Sequence, residues 1–458
     1  MKKSKKVLSL VVCVFMVAGI FAGCNKKEEP VASPSAEVSA PASPEASVVP
    51  SETAVDPLSF KGELTMWHFN KDEAPNIEKS FESTYKNVDL KVTVIPDKDQ
   101  QYINKLTSAV RSGSGVPDIF TAESAFVKRV VELKGGWVDL TEKAKTVSGD
   151  MAKYTIDVGT DTTGVVRALS HQVTAGGIGF KKAVAKKYLG TDDAAEIGDM
   201  LSSQDKILET AKKLKEASGG KVALFPSWEE MKKIALGGRD AGWVVDNKLS
   251  IDQKVIDLIE FSKEMRDNKY ESGFDAWSPG WSSAIAADEQ AMCWTVPTWG
   301  VPWIIGSNDP KAKDGGRWSI AKGPFNYFWG GTWYGIYEKA AQPELAWEFI
   351  KWWTSDKAHM EEWNKQTGDI PNSLSLLKEK STATDVDDAI MGQNLFKFYE
   401  PLVGSINGAV LTQYDDTIEN AFNDIMKSYL AGKVKSKDDV ISQLKTKVKQ
   451  NLKDITVE

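Results

Sequence analysis

From Phe60 onward, apolar positions along the chain alternate between a spacing of two and a spacing of about 3.6 residues. "ELTMWHF" predicts a strand, and "PNIEKSFESTYKN" a helix with Pro75 near its start and Ile77, Phe81 and Tyr85 on one face. "VDLKVTVIP" returns to a strand, "DQQYINKLTSAVRSG" is a helix stopped by Gly113, and "PDIFTA" is a short strand. Strand, helix, strand, helix, strand predicts an α/β fold with a parallel sheet wrapped by helices. Ligands of such sheets sit beyond the carboxyl ends of the strands, which directs attention to Trp67–Asn70 and Thr121–Ser124. Further on, "QDKILETAKKLKEASGG" turns Leu208, Ala211 and Leu214 inward, and "IDQKVIDLIEFSKEMRDN" buries Val255, Leu258, Ile259 and Met265. Ser436 and Asp439 form a capping-box pattern ahead of Val440, Leu444, Val448 and Leu452. After Pro343 a helix carries Leu345, Ala346, Phe349, Ile350 and Trp353 on one face, with Trp347, Trp352 and Trp363 packing beside it.

The start of the chain has a different texture. "MKKSKKVLSLVVCVFMVAGIFAGCN" joins a basic stretch to an apolar run and small residues before Cys24, the pattern of a secretory signal over residues 1–23. Residues 24–58 are rich in Pro, Ala, Ser and Glu and have no aromatic side chain with which to build a core, so a disordered tether is expected. The body from Phe60 holds one cysteine, Cys293, which reads as a small buried hydrophobe.

At 458 residues the chain exceeds what one core usually holds, so two lobes are expected. The formal net charge is −7, and removing Lys2, Lys3, Lys5 and Lys6 with the signal makes the remainder more acidic. An acidic body without a basic stripe excludes nucleic acid as the main partner. The informative count is sixteen tryptophans, because indole is enriched where an apolar face meets a polar ligand. Trp329 and Trp333 bracket Gly330 and Gly331 in a segment without helical spacing, where paired glycines let the backbone come close to something.

"GGTWYGIYEKAAQPELAWEFIKWWTSDKAHMEEWNKQTGDIPNS" resembles the late signature of family 1 of the extracellular solute-binding proteins, which serve sugar ABC importers. "LTMWHFN", "GVPDIFTAE", "VVRALSHQVTAGGIGFKKAVAKKYLG" and "DEQAMCWTVPTWG" follow in that family's order, and the likeness spans roughly residues 60 to 454. "FAGC" resembles the lipobox of bacterial lipoproteins, with Cys24 the residue that would be lipidated. The resemblance implies a two-lobed periplasmic-binding-protein-like fold with an interlobe cleft and a hinge of strands crossing near 170–175, 322–329 and 369–373. Lobe 1 would comprise residues 59–172 and 322–372, and lobe 2 residues 173–321 and 373–458. It implies a monomer without cofactor or metal, lipid-anchored to the outer face of the bacterial cell membrane and delivering an oligosaccharide to ABC permease subunits. A β-gluco-oligosaccharide, of cello or laminari type, is the expected ligand.

Holding a sugar takes aromatic faces against its C–H patches and polar groups at its hydroxyl rim. The expected polar groups are His68, Asn70, Glu123, Gln172, Thr174 and Asp369. The expected platforms are Trp67, Trp228, Trp277, Trp281, Trp299, Trp329 and Trp333; Pro279 and Gly280 suggest that Trp277 and Trp281 sit on a loop. Trp137, Trp243, Trp294, Trp303 and Trp318 read as structural. No Walker A, Gly-x-Ser-x-Gly, Gly-x-Gly-x-x-Gly or His-Glu-x-x-His motif occurs, and the three histidines lack metal-ligand spacing. The competing readings are an extracellular glycoside hydrolase, which needs only an aromatic cleft and a carboxylate pair, and a carbohydrate-binding surface adhesin.

Overall fold

In the computed structural model, which describes residues 56–384 and 387–458, two separate sheets organise the body. The proposed signal, the lipidation site Cys24 and the tether up to residue 55 lie outside the described residues. The first sheet contains β1 (Gly62–His68), β2 (Val88–Val94), β3 (Ile119–Glu123) and β4 (Ala168–Ser170). The second contains β5 (Gly176–Lys181); a hairpin of β6 (Val244–Val245) and β7 (Lys248–Leu249) stands apart from both. β8 (Cys293–Pro297) and β9 (Trp318–Ala321) flank β5, and β10 (Thr332–Ile336) returns to the first sheet.

The order of the first sheet is β2-β1-β3-β10-β4. β1 runs parallel to β2 and β3, as the strand–helix alternation predicts, whereas β10 lies antiparallel between β3 and β4. That insertion comes from some two hundred residues downstream, beyond the reach of local periodicity. The helix Ala74–Thr84 covers the sheet with Ile77 and Phe81, and Gln101–Ser112 ends on Gly113 at φ 64°, where glycine carries no side-chain penalty. The helix Pro343–Ser355 buries Leu345, Ala346, Phe349, Ile350 and Trp353 against the same sheet, with Trp347, Trp352 and Trp363 in the same core.

β5, β8 and β9 make an antiparallel sheet enclosed by helices on the other side of the cleft. The helix Gln204–Ser218 faces its core with Ala211 and Leu214 as expected, while Ile207 takes the inward place expected of Leu208, which is only partly buried. Val255, Leu258, Ile259 and Met265 are buried, and both hydrogen bonds of the Ser436–Asp439 capping box are present. Cys293 is fully buried, and burial pushes its thiol well above the ordinary range.

Between the sheets, three segments pair with one another. Gln172 bridges to Pro371, Val173 N donates to Ile370 O at 3.0 Å, and Asn372 N donates to His171 O at 2.9 Å. On the other side, Ala175 bridges to Phe328, Gly176 N donates to Tyr327 O at 2.9 Å, and Trp329 N donates to Thr174 O at 3.1 Å. This is a two-lobed periplasmic-binding-protein-like fold with a hinge of crossing strands.

Candidate functional site

Where the hinge meets the lobes, a cavity of about 220 Å³ opens, lined on one side by Glu123, Ser124 and Ala125 at the end of β3. Opposite stand Lys232, Lys233, Leu236 and Arg239 from the helix Trp228–Gly237 and the turn after it. Phe328 and Trp329 of the hinge, Asn407, Val410, Leu411 and Glu419 complete the wall. A second cavity of about 240 Å³ continues past Ser124, Ala125, Leu411 and Glu419 and is spanned by an ion pair from Arg129 Nη1 to Asp416 Oδ2 at 2.9 Å.

Trp329 is the link between this cavity and a group of indoles. Its ring centroid lies 5.0 Å from that of Trp299 and 5.8 Å from that of Trp277. Trp277 and Trp299 are nearly parallel, 8° apart in plane with centroids 6.4 Å apart. Trp299 Nε1 donates to Trp329 O at 2.7 Å, which fixes the ring in place. A side chain at Gly330 would collide with that indole, and Gly330 has φ 77°; the close neighbour of Gly330 is Trp299, while that of Gly331 is Trp333. Trp277 is 56% exposed and itself has φ 66°, a left-handed conformation that costs a bulky residue on the order of 1–2 kcal/mol. An exposed indole held in a strained conformation is the kind of outlier that points to function.

Beneath the indoles, Glu230 is fully buried. Its Oε1 accepts from Trp281 Nε1 at 2.7 Å, and its Oε2 accepts from Thr295 N at 2.9 Å and from the Thr295 hydroxyl. Lys233 Nζ stands 3.8 Å from Glu230 Oε2 and 4.0 Å from the centre of the Trp329 ring. Glu123 accepts from Ser124 Oγ at 2.6 Å and from Ala125 N at 2.7 Å, and burial raises its carboxyl above the usual range.

Of the residues expected from sequence, the structure brings Glu123 and Trp329 to the cavity and Trp277 and Trp299 into contact with Trp329. Several others lie elsewhere. Trp281 is fully buried because a helix begins at Pro279, not a loop; Ser278 caps it and accepts from Trp281 N. Trp228 packs in the second-lobe core near Phe422, and Trp333 is buried with its Nε1 donating to Thr155 O at 2.8 Å. Trp67 is partly buried at the edge of the first-lobe core, with Lys105 Nζ 4.6 Å from its ring centre.

The polar residues are also drawn inward. Asn70 uses its amide to donate to Glu73 and its carbonyl to accept from Asp72 N, an arrangement that starts the following helix. Thr174 Oγ1 donates to Gly330 O, and Gln172 is buried in the hinge. Asp369 accepts from Trp363 Nε1 at 3.0 Å and lies 3.8 Å from His171. His68 is fully buried, and desolvation holds it at about 3, neutral at ordinary pH. Trp303, expected to be structural, is 40% exposed; Trp137, Trp243, Trp294 and Trp318 are buried. Sequence reasoning missed Lys232, Lys233, Arg239, Asn407 and Glu419. The pair of lysines after Glu229 and Glu230 in the helix "WEEMKKIALG", four charges in one largely buried helix, was the available signal.

Two lobes, crossing strands and a cavity at the hinge define the class: a binding protein that receives a guest between lobes. Residues 77–389 match the model of the bacterial extracellular solute-binding proteins, and the chain belongs to that family, whose members bind solutes and are not enzymes. No curated protein sequence matches it. Its structure is similar to one described as an extracellular solute-binding protein of family 1, with TM-score 0.75, 16% identity, and coverage of 85% of this chain and 99% of that one. It is also similar to the galacto-N-biose/lacto-N-biose I-binding protein of Bifidobacterium longum, with TM-score 0.68, 18% identity, and coverage of 87% and 99%. The sugar-binding protein MalE of Xanthomonas citri matches with TM-score 0.68, 13% identity, and coverage of 85% and 97%.

Proposed function

We propose that this protein is the substrate-binding lipoprotein of an ABC importer, capturing an oligosaccharide built on β-linked glucosyl units and delivering it to membrane permease subunits. The observation that carries the reading is the group of Trp277, Trp299 and Trp329, of which Trp329 lines the hinge-side cavity together with Glu123. Indole faces stack on the C–H faces of sugars, and several in one place favour a chain of sugar rings. The Bifidobacterium longum neighbour has a structure in complex with lacto-N-biose, which lends the saccharide reading support. Cys24 is the proposed lipidated residue, holding the monomeric protein outside the membrane through the tether of residues 24–58. The lobes are assigned to 59–172 with 322–372 and to 173–321 with 373–458, in keeping with the two sheets.

Sugar would stabilise the closed form by touching both lobes at once, because a ligand shifts an equilibrium only by its differential affinity. Calorimetric titration with cello-, laminari- and other oligosaccharides tests the reading; one class should bind near micromolar, about −8 kcal/mol. Silence across neutral and acidic oligosaccharides would end it. Small-angle scattering should show a smaller radius of gyration in the presence of the sugar that binds. Release of reducing ends over hours would instead indicate a hydrolase.

A further inference from the structure

We infer that the saccharide taken by this cleft carries an anionic group, a uronate carboxylate or a sulfate ester, recognised by Lys233 and Arg239. The inference rests on the saccharide reading and adds the charge of the ligand to it.

Both side chains line the 220 Å³ cavity, and both keep cationic nitrogens without a hydrogen-bond acceptor among the described residues: Lys233 Nζ and Arg239 Nη1. The Arg239 side chain is 98% buried by its 2% exposure; its Nε donates to Leu236 O at 2.9 Å and its Nη2 to Asp415 Oδ2 at 3.1 Å, leaving Nη1 over. Lys233 has Glu230 as a charge neighbour but not as a hydrogen-bond partner. The carboxylate is 3.8 Å off and already accepts from Trp281 and Thr295.

A buried cation with unmade hydrogen bonds is costly, so such a pair calls for an acceptor from outside the chain. A sugar hydroxyl can accept but brings a donor of its own and no charge, whereas a carboxylate or sulfate ester only accepts and is anionic. The facing wall agrees, because each oxygen of Glu123 already takes a hydrogen bond from its own loop and so has less to offer a hydroxyl donor. Glu419, the other carboxyl on the cavity, sits among Lys232, Arg239 and Asp415. Trp329 meanwhile connects the charged end to the stacking surface, since Lys233 Nζ stands over its ring and Trp299 lies beside it. A sugar ring stacked on the indoles would thus project an anionic substituent toward the two cations.

The test is calorimetry on the whole protein with matched probes: cellobiose, cellobiouronic acid and cellobiose 6-sulfate, with neutral and uronate-bearing xylo- and galacto-oligosaccharides alongside. An anionic member should bind about tenfold more tightly than its neutral partner, in keeping with charge-assisted hydrogen bonding, and should lose that advantage as salt is raised. Lys233→Gln should remove the preference, read as the ratio of anionic to neutral affinity within the variant, and Lys233→Arg should keep that ratio; thermal melting of each variant separates this outcome from misfolding. Neutral members binding as well as their anionic partners would overturn the inference and leave the saccharide reading standing. No binding by any member would overturn both.

Discussion

Two groups of aromatic side chains in this protein are built from the same residue types and arranged in opposite ways. Under the first sheet, Trp353 stacks on Phe349 and meets Trp363, Tyr334, His171 and His359, so that both ring faces are used inside the core. Its Nε1, the Tyr334 hydroxyl and both His171 nitrogens have no partner among the described residues. At the cleft the reverse holds. Trp299 Nε1 is tied down to Trp329 O, the fully buried Trp281 beneath is held by Glu230, and Trp277 leaves ring surface exposed. In the core group the ring faces are filled while some polar atoms stay idle, although Trp363 Nε1 reaches Asp369. With Trp299 fixed through its Nε1, little side-chain entropy would remain to be lost if this group takes the guest proposed above.

That contrast breaks most readily at its buried anchors. Trp353→Ala should cost about 3–5 kcal/mol, read by denaturant melting, because the void cannot collapse among so many rings. Glu230→Leu should cost a similar amount, about 3–5 kcal/mol, by leaving Trp281 Nε1 and Thr295 without their acceptor and Lys233 without its charge neighbour. Only the second should also alter ligand affinity, since only Glu230 supports the cleft.

Acid and alkali should sharpen the comparison next. All three histidines of the chain gather in the first-lobe cluster, and desolvation depresses both His68 and His359 to about 3. Their contribution is present above their unfolded value of 6.5 and is lost as pH falls toward 3. Glu73, beside His68, is pushed up to about 8, first by burial and then by Asp369; its contribution is present below its unfolded value of 4.5 and is lost as pH rises toward 8. Between 4.5 and 6.5 the two histidines outweigh the one carboxyl, so these groups place the stability maximum near pH 6.5, with flanks of about 1.4 kcal/mol per pH unit for each unbalanced proton. Melting temperatures across pH should trace that shape, and Glu73→Gln should flatten the alkaline flank.

Smaller effects belong to the cleft. Trp277→Gly should leave stability unchanged or raise it by about 1 kcal/mol, because glycine accepts the left-handed backbone, while sugar affinity falls about fivefold by calorimetry. Trp303→Ser, at an exposed position outside both groups, should shift stability by no more than about 0.5 kcal/mol and leave binding alone.

Much of the architecture was legible in the linear pattern. The alternation through β1, β2 and β3 announced the parallel half of the first sheet, and the spacing after Pro343 identified Trp353 as core, since a helix face is a local property. Glu123 was legible because it ends a strand of that alternation. Trp228, Trp281 and Trp333 were not, because what covers them comes from Phe422, Glu230 and Thr155, each at least 51 residues away in the chain. The sequence by itself determined the elements, the inward face of most helices and the wealth of indole. Which indole stays at the cleft surface and which is packed against other side chains was decided by the tertiary structure, because exposure and hydrogen-bond satisfaction depend on neighbours that local spacing does not encode.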